Sequence, residues 1–175
     1  WLSAYRGHGR SDTSSVMTNQ SSSHQRFEVQ HPEFIKNMVG TKFGENGFPA
    51  GVAAWLEVAI VDIDDVHGVC HCAFLVKDEH LMFTGQLHGA CLASLVDTAM
   101  PLVVYPFVPA GTWVATSNFS IDYLKSVEDG ICDAYSTIES LSKSAAVVTT
   151  RMENKGRLVA LGSGTVKLKR IGDKT

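Results

Sequence analysis

The chain has 175 residues, a formal net charge of −3, and ordinary apolar and charged fractions of 45% and 19%, enough for one domain with a proper core. That charge, with no local Lys/Arg cluster, leaves no electrostatic footprint for a nucleic-acid partner. Asp97 and Pro101 interrupt the longest apolar run, so no membrane-crossing stretch is expected.

Residues 1–25 are rich in Ser, Gly and Arg, nearly free of acids and without periodicity, which predicts a disordered N-terminal tail. Met17 is a plausible natural start, and the composition is shared with organelle transit peptides, although no amphipathic helix accompanies it. A single folded domain is expected from 26 to 175. Within it, 31–39 reads as a short helix, with Pro32 at its first position and Gly40 as its stop. Residues 44–51 read as loop, and the period then changes to two. Segments 52–63 and 68–77 are predicted strands joined by a tight turn around Asp64 and Asp65. Pro106, Pro109 and Gly111 mark a loop, and four more strands are predicted at 112–124, 131–141, 145–153 and 158–169. Cys70, Cys72, Cys91 and Cys132 fall on predicted strands and on the apolar run, as small core residues in a reducing compartment rather than a disulfide framework. The cytoplasm is the expected location, with the mitochondrion as the alternative if the first residues are a leader.

Between the two strand groups lies Gln86 to Tyr105, the longest apolar run, with one carboxylate at its middle. Cys91, Leu92, Leu95, Val96, Ala99 and Val103 recur at helical steps. Gln86, Ala90, Ala93, Asp97 and Pro101 form a second, narrow face of small residues plus one acid, against which a backbone or a slim ligand could lie. The helix is expected to begin at His88-Gly89, where free N–H groups and the positive dipole end favour an incoming oxygen. Pro101 has no N–H for the Asp97 carbonyl, so a kink or an end is expected there. A carboxylate buried in such a helix is costly unless paired or used, and the plain alternative is a structural acid capping a backbone amide. One apolar helix among six antiparallel strands has a natural solution: the sheet curls around the helix and buries it, the α+β hotdog architecture.

His88-Gly89-Ala90 followed along the helix by Asp97 resembles the signature of hotdog-fold acyl-CoA thioesterases of the phenylacetic acid degradation type, which read H-G-G followed by an Asp or Glu. The resemblance covers about residues 51–169. It implies an acyl-CoA thioesterase in which Asp97 attacks the thioester carbonyl or activates a water, and the Gly89 backbone N–H polarises the carbonyl oxygen. His88 is implied mainly to shape the turn. Segment 114–123 resembles the family's strand after the helix, where a Ser or Thr supports the acid: Thr116 holds that place, and Ser117 is one residue away on the opposite face. The family commonly has an Asn or Gln six residues before the His. Here that place is Met82, which donates no hydrogen bond, and Gln86 is displaced by four residues. For the CoA moiety the resemblance points to Ser142, Lys143 and Ser144, with Asn118 from the preceding strand, and Lys143 suits a phosphate. It further implies no cofactor beyond the CoA of the substrate, no metal, and a homodimer or homotetramer whose sites lie between subunits.

Two other clusters carry no metal reading. His67, Cys70, His71 and Cys72 lie on a strand, where consecutive side chains face opposite ways. Asp62, Asp64 and Asp65 lack the alternating ligands and closing Glu of a calcium loop. A non-catalytic acyl-CoA-binding module and a hotdog enoyl-CoA hydratase are the rival functional readings, the first kept open by Met82.

Overall fold

The computed structural model describes residues 1–3, 26–45 and 51–170. Most of the expected tail, residues 4–25, lies outside them; at its start, Leu2 is buried and the Trp1 ring lies 5.8 Å from the Lys42 ammonium. Helix α1 (Pro32–Met38) follows the proline-first pattern, and a short α2 (Val52–Trp55) comes next. Six strands follow in chain order: β1 (Ala59–Asp64), β2 (Val69–Leu75), then, after the long helix α3 (Gly89–Val104), β3 (Thr112–Tyr123), β4 (Ile131–Leu141), β5 (Ala145–Asn154) and β6 (Arg157–Arg170).

The strands form one sheet in the order β1-β2-β4-β5-β6-β3, and every neighbouring pair is antiparallel. α3 lies in the concave side of the sheet and packs against β2, β3, β4, β5 and β6. Its Cys91, Leu92, Leu95, Val96, Ala99 and Val103 are all buried, as the helical spacing requires. Across from them, alternate residues of the strands close the core, among them Cys72, Phe74, Ala134, Ile138, Val148, Met152 and Val166. The four thiols are free and buried in this core. Burial pushes the Cys132 thiol up to about 12.

Two expectations are corrected. The strand read as starting at Val52 begins at Ala59, because 52–55 form a helical turn whose Leu56 N–H bonds back to the Val52 carbonyl. The helix neither ends nor breaks off at Pro101 but runs on to Val104 and into a 3-10 turn at Tyr105–Phe107. A proline inside a helix removes one N–H, and packing on both flanks holds the remaining turns. By length and composition alone the helix and its extension, Gly89–Phe107, would suffice to cross a membrane. The sheet wraps this helix and buries most of it.

Glycine matters at one close approach. A Cβ on Gly164 of β6 would stand 2.4 Å from the Asn118 carbonyl oxygen and 2.6 Å from the Phe119 Cβ. β3 and β6 meet at that point across a bulge, where the pairing skips from Thr116↔Val166 to Asn118↔Thr165 and leaves Ser117 over.

Candidate active site

The narrow face of α3 is its open face. Ala90 and Asp97 are exposed, and Gln86, Ala93 and Pro101 are half-buried, along one line of the otherwise covered helix. Asp97 is thus not the buried acid that its apolar surroundings predict. Its carboxylate accepts no hydrogen bond and meets no cation among the described residues, so a capping role for the acid has no amide to serve.

Pro101 leaves the Asp97 carbonyl without its helical N–H, and the Thr116 hydroxyl of β3 lies within 3.4 Å of that oxygen. The proline and the threonine are two halves of one arrangement: the orphan carbonyl finds a donor on the strand alongside. Thr116 therefore faces α3. Ser117 is the bulged residue, and its hydroxyl donates to the Thr165 carbonyl at 3.0 Å. Asn118 accepts from the Thr165 N–H at 3.2 Å through its side-chain oxygen. Both close the backbone gap that the bulge opens.

At the start of α3, His88 is the N-cap, and its Nδ1 accepts from the Ala90 N–H at 3.0 Å. The His88 N–H donates to the His80 carbonyl at 3.0 Å, and the Cys91 N–H donates to the His88 carbonyl at 2.9 Å. Among the described residues the Gly89 N–H has no acceptor. The carbonyl of Gly89 does have a partner: the Tyr123 hydroxyl donates to it at 3.0 Å. The Tyr123 ring lies so near that a Cβ on Gly89 would be 3.2 Å from Cζ, so glycine fits here because the phenol occupies the space. Burial raises the Tyr123 phenol above its ordinary value, which keeps it a donor at neutral pH. A groove of about 310 Å³ opens beside it, lined by Gln86, Gly89, Leu92, Tyr123 and Lys125 among others.

Tyr123 is the site residue that sequence reasoning passed over. Counting by twos from Thr116 gives 118, 120 and 122 as the helix-facing positions. The bulge at Ser117 shifts the count, so that Phe119, Ile121 and Tyr123 share the side of Thr116; their partners Gly164, Gly162 and Ala160 on β6 are on the side of buried Val166. An unseen bulge inverts every assignment after it.

The remaining predicted residues stand apart from this groove within one chain. Ser142 closes the β4–β5 turn, accepting from the Ala145 N–H at 3.1 Å and donating to the Ala145 carbonyl at 2.8 Å. Lys143 and Ser144 are exposed on the same turn, and the Ser144 carbonyl accepts from Leu168. Leu168 pairs with Val114, at the other end of β3 from Tyr123; at 3.3 Å per residue the turn is roughly 30 Å from Gly89 along the strand. Met82 is exposed on the turn preceding α3, where its N–H donates to the Gln86 carbonyl at 2.7 Å.

The clusters set aside as metal sites are also accounted for. Cys70 and Cys72 are buried on one face of β2 with their sulfurs 3.7 Å apart, while His71 faces away and bonds Asp133 at 2.8 Å. Asp64 takes the N–H groups of Val66 and His67, each at 3.0 Å, which makes it a turn residue.

A six-stranded antiparallel sheet wrapped around one apolar helix defines the hotdog fold. The thioesterase superfamily model matches residues 84–161, from the turn before α3 into the first half of β6, a little under half of the chain. No curated protein matches the chain by sequence search. Among solved structures, the phenylacetic acid degradation-related protein of Ralstonia eutropha superposes with a TM-score of 0.65 at 22% identity, over 70% of this chain and 93% of its own. A mutant of the phenylacetic acid degradation protein PaaI of Thermus thermophilus gives 0.59 at 25% identity, over 67% and 96%. A Haemophilus influenzae thioesterase gives 0.67 at 14% identity, over 87% and 98%. The neighbours share the hotdog fold with this chain.

Proposed function

We propose that the protein is an acyl-CoA thioesterase in which the Asp97 carboxylate is the general base or nucleophile and the Gly89 N–H polarises the thioester carbonyl. The observation that carries this reading is the Asp97 carboxylate itself. It stands open and unpaired on a helix whose other side is the core, which leaves it available to a substrate and no structural work to do. In one route the carboxylate takes a proton from water while the water oxygen bonds to the carbonyl carbon; the oxyanion collapses, the C–S bond breaks, and the CoA thiolate is protonated. In the other the carboxylate oxygen bonds to the carbon and expels the thiolate, and water then cleaves the mixed anhydride. Both need an ionised acid and a donor at the developing oxyanion. Neither asks for a metal or a further cofactor.

Gly89 and Asp97 are separated by eight residues of helix, about 12 Å along its axis at 1.5 Å per residue. One carbonyl cannot touch both within a single chain. We infer that two subunits share each site. β3 is an edge strand of twelve residues, long enough to invite pairing with a copy of itself. An antiparallel pairing would carry the partner's acid toward this chain's Gly89, and the partner's β4–β5 turn, with its copies of Ser142, Lys143 and Ser144, toward the same end. Lys143 there would meet a CoA phosphate.

Release of CoA from short, long and aromatic acyl-CoAs tests the reading. Turnover of at least one class is expected. Tight binding of acyl-CoA without turnover would favour the non-catalytic module, the reading that Met82 supports by having no hydrogen bond to give.

A further inference from the structure

A donor serves a developing charge only if it is fixed beforehand, and glycine at a helix start is the residue least able to fix itself. The peptide before Gly89 is held through its carbonyl, where the His88 oxygen accepts from the Cys91 N–H at 2.9 Å. On the other side, Gly89 has a single side-chain partner among the described residues: the Tyr123 hydroxyl, which donates to its carbonyl at 3.0 Å.

That contact comes from the sheet, not from the helix. Elsewhere in α3 the hydroxyls of Ser94 and Thr98 turn back onto carbonyls of their own helix, those of Ala90 and Ser94, each at 2.7 Å. Tyr123 instead reaches Gly89 from 34 residues along the chain, as Thr116 reaches the Asp97 carbonyl. β3 thus sets one hydroxyl on the backbone carbonyl of each residue that the proposed reaction uses. The ring adds a steric restraint: its Cζ and Cε1 lie 3.2 and 3.3 Å from where a Cβ on Gly89 would stand, and the hydroxyl oxygen lies 3.4 Å away. The rest of the phenol lines the groove with Leu87, Leu92 and Val127.

We propose that Tyr123 is a positioning residue of this site: its hydroxyl on the Gly89 carbonyl and its ring against Gly89 hold the Gly89 N–H in one orientation for the thioester oxygen. The proposal rests on the thioesterase reading and deepens it. Tyr123 touches no reacting atom and gives up no proton; it acts through Gly89. Without the hydroxyl, the soft dihedrals of glycine let the N–H swing, and a misplacement of about 1 Å is enough to weaken the bond where charge develops.

The test is steady-state hydrolysis of the most rapidly cleaved acyl-CoA by the wild type, Tyr123→Phe and Tyr123→Leu between about pH 6 and pH 9, with each thermal midpoint measured alongside. Tyr123→Phe keeps the ring in the groove and removes only the hydroxyl. At a temperature where the variant is fully folded, its kcat should fall about tenfold, by the same factor at every pH, with KM within about twofold of the wild type. Tyr123→Leu removes both restraints, so its kcat should fall further; it also serves if the phenylalanine variant does not fold. A merely structural hydroxyl would lower the midpoint and leave the kcat of the folded protein unchanged, and that result overturns the proposal. So does a loss confined to KM, which would make Tyr123 a wall of the groove and no more. A pH profile that changes shape would make the phenol itself a proton donor and likewise overturn the positioning role. Each of these leaves the thioesterase reading intact; no turnover by the wild-type protein overturns both.

Discussion

Pro101 shapes the surroundings of Asp97 from one helical turn away. By withholding an N–H it exposes the Asp97 carbonyl, and the Thr116 hydroxyl answers from β3. The acid itself is left open to solvent, on the one line of α3 that the sheet does not cover. His80 shows the opposite treatment. It is buried between Trp55 and Phe74, its Nδ1 accepts from the Lys77 N–H at 3.1 Å, and its Nε2 has no hydrogen bond. Burial lowers the imidazole below its ordinary value of 6.5, with the Lys77 charge adding to the effect and Glu79 and Glu57 opposing it. The folded protein thus prefers neutral His80, and the unfolded chain takes the proton first as pH falls. Its contribution to stability is complete above about 6.5 and is lost as pH drops below that value toward the folded-state value. Unfolding midpoints measured between about pH 5 and pH 8 should therefore fall on the acid side for the wild type and fall less steeply for His80→Phe. Equal slopes would show that His80 does not titrate in this way. Since the His80 carbonyl also anchors the His88 N–H, the same acid loss should loosen the start of α3.

At the scale of the elements, β3 decides what faces the helix. Its bulge at Ser117 reverses the alternation, and Gly164 on β6 makes room for the crossing. Gly164→Ala would press a methyl into the Asn118 carbonyl and Phe119, so a loss of about 1–3 kcal/mol is expected by denaturant unfolding. An unchanged midpoint would mean that the two strands separate easily, contrary to the close register they share. This strand also marks where the sequence could be read and where it could not. Helical spacing of Cys91, Leu92, Leu95, Val96, Ala99 and Val103 was enough to find α3, and the period-two segments found the six strands, all but β1 nearly to their ends. Periodicity could not reveal a bulge, because the bulge is a defect in the period itself; Tyr123 was hidden for that reason. Nor could it tell a buried Asp97 from an open one, since a helix face lined with Ala and Pro looks alike whether it meets core or cleft. The helical turn at Val52–Trp55 escaped because its apolar residues merge with those of β1.

The whole molecule poses the question of how many chains make one site. Gly89 and Tyr123 meet at one end of α3, and Asp97 sits about 12 Å away at 1.5 Å per residue. If sites are shared across a two-fold axis, subunits carrying Asp97→Asn and subunits carrying Tyr123→Phe should rescue one another. Each mixed dimer would hold one intact site, and random mixing would return about a quarter of wild-type activity. Activity no greater than that of the separate variants would place each site within one chain and contradict the two-subunit reading.

The most direct test is thiol release from acyl-CoA by the native protein and by Asp97→Asn, side by side. The four cysteines are buried, and burial raises the thiols of Cys91 and Cys132, so a thiol reagent would report CoA rather than the protein. Asn keeps the shape of Asp97 and removes its charge. Loss of turnover with an unchanged thermal midpoint is the predicted result; native turnover that survives the substitution would contradict the assignment of the chemistry to Asp97.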